Sequence, residues 1–433
     1  MLERQTYKKP NSGSTGISTI TAVKPLNVTI DPLFAAQLSI DTLLINKTIF
    51  VDSLNGNDTT AIDNGVYNSY FPFQNILTAK AYAASGDMIY IRKGTYTQKT
   101  INNSICSYFL ETGAIVQNTI NNNVFAQSNG VTLNIFGNGT LRSSVVNSAV
   151  IVAINNTTIN VQCYKIIKDT NFLGMAILCI TGGKIYCDCY EIDCRFNGVI
   201  GVQILDANGF IQLNAQILRY SFIAALLGNT NNNTSKIIYN VSETIVYDMP
   251  FVTAFNGTGA GFVNNGSGEI VMNTRFSSAQ TTDSAGFLSS IGLLWNNGAN
   301  VCNLYINSPG YNKVRLSNLF RTGNITTNGK MVINGNFKND QSSYGVLNVG
   351  GTIDISGKIE NEAITLLSPI EQQAGTLIIN DLITIAGAGS TYSISSPAAQ
   401  NIRIYKHVTN KGYNSLITDI IPGSLNIINA NVI

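Results

Sequence analysis

The densest run of ionisable side chains is Asp188-Cys189-Tyr190-Glu191-Ile192-Asp193, with Arg195 just beyond it. Paired carboxyl groups can cleave a glycosidic bond, one as acid and one as base or nucleophile, when they stand about 5–10 Å apart. A lyase would instead need a basic group, commonly with Ca²⁺ held by several acids. Glu191, Asp193 and Asp188 are therefore the residues through which catalysis would run. The other reading of the same residues is ion pairing between neighbouring strands, Lys165 with Glu191 and Asp193 with Arg219, worth under about 1 kcal/mol per exposed pair. Asp52 and Asp58 could form a cation site, but their turn-rich setting favours Asx turns. His407 is the single histidine, on a strand with no Ser or Cys motif beside it, so a His-dependent triad is not expected. No transition-metal cluster and no cofactor are expected.

What must position these residues is a repeat. From about residue 130 a short phrase recurs in which a Gly or small polar residue precedes alternating apolar positions. Its anchors are Val131, Ile159, Ile185, Ile211 and Ile237, followed by Ile270, a poorly fitting copy near Val301 or Leu304, then Met331, Ile353, Leu377, Ile402 and Leu425. A period of 22–34 residues with strand alternation and no helical pattern predicts a β-solenoid, each turn made of three short strands. Leucine-rich repeats would need a helix or a fixed Leu/Asn frame, and neither is present. The register puts Lys165, Glu191 and Glu243 in one column, with the two glutamates roughly 10 Å apart. The third residue after each anchor is often an amide: Asn134, Gln162, Asn214, Asn240, Asn273, Asn334 and Asn380, with Asp188 in the same column. Amides stacked one rung apart predict a hydrogen-bonded ladder that fixes register.

Composition agrees. With 44% apolar residues in 433 the chain can bury a large core, while charged residues make up only 12% and the net charge is +2. No basic stripe suited to nucleic acid is visible, and no apolar run is long enough to span a membrane. Seven cysteines include Cys187-Asp188-Cys189, whose thiols share one face of a strand. Cys163 and Cys189 fall in one interior column, and a packed, reduced stack is expected, with an inter-rung disulfide as the alternative.

The stretch 50–96 reads as a strand, a Gly/Asn/Asp turn, one amphipathic helix from Ile76 to Ala84, a Gly86-Asp87 stop and a second strand from Met88 to Ile91. Together with Val51-Asp52, Gly56-Asn57-Asp58, Pro72-Phe73 and Gly94-Thr95-Tyr96, and with Leu110-Glu111-Thr112-Gly113-Ala114-Ile115 after it, it resembles the opening of pectin-lyase-like right-handed parallel β-helix proteins. The resemblance implies an all-β, single-stranded, right-handed β-helix with one N-terminal capping helix. Residues 1–46 are then an attachment segment, 47–100 the cap and first rung, and 101–433 the rod. With a polar leading segment and no secretion signal in view, the whole resembles a bacteriophage tailspike or fibre protein. That resemblance implies a homotrimer on the virion, held to other virion proteins through residues 1–46, and binding of a host-surface polysaccharide. Tyr190, Trp295, Glu243 and Arg219 are the candidate glycan contacts, with Tyr305 and Tyr311 as further aromatic candidates. The rival readings are a tailspike depolymerase and a bacterial β-helix adhesin.

Overall fold

A computed structural model describes residues 47–432, apart from 121, 171–172, 197, 222, 229–234, 248–260, 265–267, 279–293, 297–302, 315–317, 323–328, 343, 364–369, 386–391, 396–400, 412–414, 419–424 and 428–430. Residues 1–46, and with them the expected attachment segment, lie outside the described residues, as does Cys302.

The chain opens on the strand Thr48–Val51, which pairs with Met88–Ile91 in parallel. The outer edge of Thr48–Val51 is met by Phe73, whose N–H donates to the Phe50 carbonyl at 2.8 Å and whose own carbonyl accepts from the Asp52 N–H at 2.8 Å. Two helices stand here rather than the one expected: α1 (Asp58–Asp63) and α2 (Ile76–Tyr82). The sequence Gly56-Asn57-Asp58 looks like a plain turn, but Asn57 caps α1 by accepting from the Thr60 N–H, as Asn75 caps α2 by accepting from Leu77. Ile76 and Ala79 of α2 are fully buried against the first strands.

Beyond the cap the molecule is a parallel β-solenoid. Long strands alternate in sequence with short ones, and each kind stacks on its own kind one turn away. Thr158–Lys168, Lys184–Cys194, Phe210–Tyr220 and Lys236–Val246 are successive long strands. Ala149–Ile154, Gly174–Ile180, Val199–Ile204 and Ile223–Leu227 are short strands of the second sheet, a stack of thirteen. Thirteen strands at about 4.8 Å per rung make a stack on the order of 60 Å long. Each long strand is bent. In Thr158–Lys168 the inward residues are Ile159, Val161 and Cys163, then Ile166 and Lys168, so Tyr164 and Lys165 face outward in succession and the alternation changes phase there. The bend divides the strand into two arms, and in the earliest turns the arms are separate strands, Leu133–Gly137 and Thr140–Ser143. Three strand segments per turn is what the repeat predicts.

The register bears out the anchors with one correction. Leu133, not Val131, pairs with Ile159, and the column continues through Ile185, Ile211, Ile237, Ile270, Leu304, Met331, Ile353, Leu377, Ile402 and Leu425. The poorly fitting copy is thereby anchored on Leu304. Between short and long strands the backbone enters the left-handed region at Asn155, Asn156, Thr181, Gly182 and Asn208. Asparagine tolerates that conformation better than most residues, which gives one reason for so Asn-rich a chain.

The interior is aliphatic, with the anchor column from Leu133 to Ile402 fully or almost fully buried. The six described cysteines are all buried and free, and Cys163 pairs with Cys189 across one rung. Burial pushes the Cys163, Cys179 and Cys194 thiols up, away from the reactive thiolate.

Candidate functional site

The candidate face is built on the two arms of the long strands. The first arm presents the amide column. Asn214 donates to Asp188, Asn240 to Asn214 at 3.0 Å, Asn273 to Asn240 at 2.7 Å, and Asn334 to Asn307 at 3.2 Å. Asn307, which the sequence reading passes over because Cys302 obscured the anchor, joins the ladder through a bond of 3.4 Å to Asn273. Asn134 does not belong to it. With Leu133 as anchor it falls in the next column and accepts from Asn160 at 2.8 Å. In the earliest turns the same outward position is aromatic. Phe50, Tyr90 and Phe109 stack at 5.6 and 5.0 Å between centroids, and Phe109 pairs with Phe136.

At the bend the outward residues are Tyr164, Tyr190, Gln216 and Ser242. The Tyr164 and Tyr190 rings lie 5.4 Å apart and within 7° of parallel, and Tyr164 is 49% exposed. Ser242 donates to Gln216 at 3.1 Å.

The second arm carries the charges. Arg195 grips Asp193 with two bonds of 2.9 and 2.8 Å, and Lys165 reaches Asp193 at 3.4 Å and Glu191 at 3.1 Å. Register sets Arg219 opposite Asp193, yet its side chain leans two residues back along the strand and bonds Glu191 at 2.8 Å. The expected Asp193–Arg219 pair is therefore replaced by a diagonal one. Arg219 also donates to the Tyr247 hydroxyl at 2.8 Å, and Arg195 lies over the Tyr247 ring at 5.1 Å. Glu243 shares the column of Lys165 and Glu191, and its partners are Arg275 at 3.0 Å and Ser277 at 2.8 Å.

Chemically, this is a network of ion-paired carboxylates. Glu191 and Asp193 are 9% and 4% exposed and both are held by cations. Burial alone would raise the Asp193 carboxyl, but Arg195 and Lys165 outweigh it and hold the group below the usual carboxylate range. A general acid needs the opposite shift. Three cations (Lys165, Arg195, Arg219) face two carboxylates, so the group carries an excess of one positive charge.

Asp52 and Asp58 bind backbone. Asp52 accepts from the Leu54 and Asn55 N–H groups at 3.0 Å each, and Asp58 from Gln74 and Asn75 at 2.8 and 3.0 Å. Among the described residues no set of His, Cys, Asp and Glu is grouped to hold a metal ion, and no helix is long and apolar enough to cross a membrane. Trp295 lies on the short strand Leu294–Asn296, Tyr311 on Asn303–Val314 and His407 on Asn401–Lys411, each far along the solenoid from the Tyr164–Tyr190 pair; their side chains lie outside the described residues. Tyr305 is partly buried on an outward position beside the amide column.

A second polar column, inside the rod, has no counterpart in the sequence reading. Gln127, Asn264, Thr322, Asn348 and Gln372 are fully buried at corresponding ends of short strands. Asn264 donates to the Gly268 carbonyl of its own turn at 3.0 Å and to the Asn303 carbonyl of the following turn at 3.3 Å, Asn348 donates to the Thr376 carbonyl of the following turn at 3.1 Å, and Thr322 donates to Asn348 at 2.7 Å. Apolar Ala153, Cys179, Ile204 and Leu227 separate Gln127 from Asn264 in this column, which hides the pattern.

Comparison of the chain with protein-family models, with curated proteins and with solved structures gives no match.

Proposed function

We propose that this protein is a receptor-binding component of a virus particle, of the bacteriophage tailspike or fibre type, that holds a host-surface glycan without cleaving it. The observation that carries the glycan reading is the ridge at the bend, where the exposed Tyr164, stacked on the half-buried Tyr190, stands between a column of amides and a group of cations. Sugars are bound by such combinations: an aromatic face for the C–H side of the ring, amides and guanidinium groups for its hydroxyls. Tyr190 and Arg219 belong to this ridge, and Glu243 extends it by two rungs. Binding is preferred to catalysis because Glu191 and Asp193 spend their charge on Lys165, Arg195 and Arg219, and Asp188 accepts from Asn214. The pectin-lyase-like ancestry, the virion location, attachment through residues 1–46 and assembly as a homotrimer belong to the same proposal. They rest on the resemblance of the 50–96 stretch and on the solenoid that follows it.

The test uses bacterial cells that the labelled protein decorates. Binding is expected to survive protease treatment of the cells and to disappear after periodate oxidation of their surface sugars; the reverse pattern would refute the glycan reading. The purified polysaccharide of those cells should be bound and recovered at its original length. Oligosaccharide released by the wild type but not by Glu191→Gln would establish the depolymerase instead.

A further inference from the structure

We infer that the open face of the Tyr164 ring, above Asn138 and Gly139, is the seat for a single pyranose ring of the ligand. The inference rests on the glycan reading and names its primary subsite. Stacked on Tyr190 at 5.4 Å and nearly parallel to it, Tyr164 has one face covered, and the opposite face looks toward the preceding turn. At the same level of that turn the chain runs Gly137-Asn138-Gly139: Ile135 pairs with Val161 and Thr140 with Lys165, so this short segment lies opposite residues 163–164. The Tyr164 N–H donates to the Gly139 carbonyl at 2.9 Å, which fixes the ring above it.

No bulky side chain continues the column there. Gly137 has φ +102°, and a Cβ on it would lie 2.0 Å from the Leu110 carbonyl oxygen; one on Gly139 would lie 2.5 Å from Leu110 Cβ. Glycine is thus imposed at both positions by the turn beneath. Asn138 is exposed, and its amide can serve a ring hydroxyl. The aromatic column Tyr190–Tyr164 therefore ends at this turn, where Gly139 is buried and Asn138 is the exposed residue beside Tyr164. A pyranose with its axial C–H bonds on one face completes the stack as a third ring, at about the rung spacing.

The test follows saturation-transfer NMR and titration of the full-length protein with methyl pyranosides of glucose, galactose, mannose and rhamnose, and with the polysaccharide of a decorated cell. Saturation should fall on the C–H face of the bound sugar. Tyr164→Ala should weaken binding roughly tenfold, Asn138→Trp should abolish it by filling the seat, and Tyr70→Ala, on the cap, should leave it unchanged. Asn138→Trp alters an exposed position, so it keeps the test valid if Tyr164→Ala folds poorly. Polysaccharide binding of wild-type strength in both variants would overturn this seat while leaving the glycan reading intact. A wild type that binds no sugar would overturn both. An oligomer that dissociates on Tyr164→Ala would show the ring to be a contact between copies of the chain, and would overturn the seat as well.

Discussion

Lys168 is fully buried, and among the described residues its ammonium group donates to neutral oxygens: Ser143 Oγ at 3.2 Å, Ser148 Oγ at 3.0 Å and the Val145 carbonyl. Burial pulls its pKa down from 10.5 to about 8. Below pH 8 both the folded and the unfolded chain hold the proton, and the fold bears the cost of a buried charge. Between pH 8 and 10.5 the unfolded chain binds more protons than the folded one, so this lysine makes the fold more stable as pH rises, by about 3 kcal/mol over the window. Buried thiols and tyrosines such as Cys179 and Tyr220, whose pKa values are raised, work in the opposite direction. The informative measurement is therefore a difference: denaturant unfolding of wild type and Lys168→Met at pH 7.5 and 10.5, with Lys168→Met gaining less, or losing more, stability on going to the higher pH. Asp193 has the opposite sign. Its carboxyl is held low by Arg195 and Lys165, so its contribution is present at neutral pH and is lost as pH falls through the folded value. Asp193→Asn should cost about 1–3 kcal/mol at pH 7, read as a lower urea midpoint, because Arg195 loses its carboxylate partner and Lys165 loses one of two.

At the scale of elements, two polar columns make different demands. The outward ladder at Asn240 is partly solvated, so Asn240→Ala should cost about 1 kcal/mol or less. Asn348 is fully buried between Thr322 and the Thr376 carbonyl, and Asn348→Leu leaves both without their partner, an expected loss of about 1–3 kcal/mol. Thermal unfolding of the two variants should rank them in that order. The outward ladder was legible in the sequence because it recurs at a fixed offset from the anchor. The inner one was not, because apolar residues interrupt it and its short strands carry no fixed frame. The same limits apply to the site. Lys165, Glu191 and Glu243 share a column as the 26-residue spacing requires, but the lean of Arg219 toward Glu191 is a side-chain choice that register leaves open. The Tyr164–Tyr190 pair follows from the bend, and a bend appears in sequence only as two successive outward residues. Helix α1 was hidden by its brevity: six residues opened by an Asn cap look like a turn.

For the molecule as a whole, residues 47–433 form one compact unit with its own core. Removal of residues 1–46 should therefore leave the thermal midpoint unchanged while, on the proposed function, abolishing incorporation into particles; truncated protein found in purified particles would refute that role. Light scattering of the full-length protein should give three times the chain mass, and a monomer would refute the trimer. The register carries a further consequence. Leu133, Ile159, Ile185, Ile211 and Ile237 are spaced by 26 residues at every step, and each turn touches mainly the turn before and the turn after. A complete turn is thus an interchangeable unit in this part of the rod. Adding or losing one by duplication or deletion of 26 residues changes the reach of the molecule by about 4.8 Å and keeps every side chain on its own face, whereas a gain of 25 or 27 turns a strand inside out. Length is a property that such a chain can vary in whole steps over generations, without having to rebuild its core.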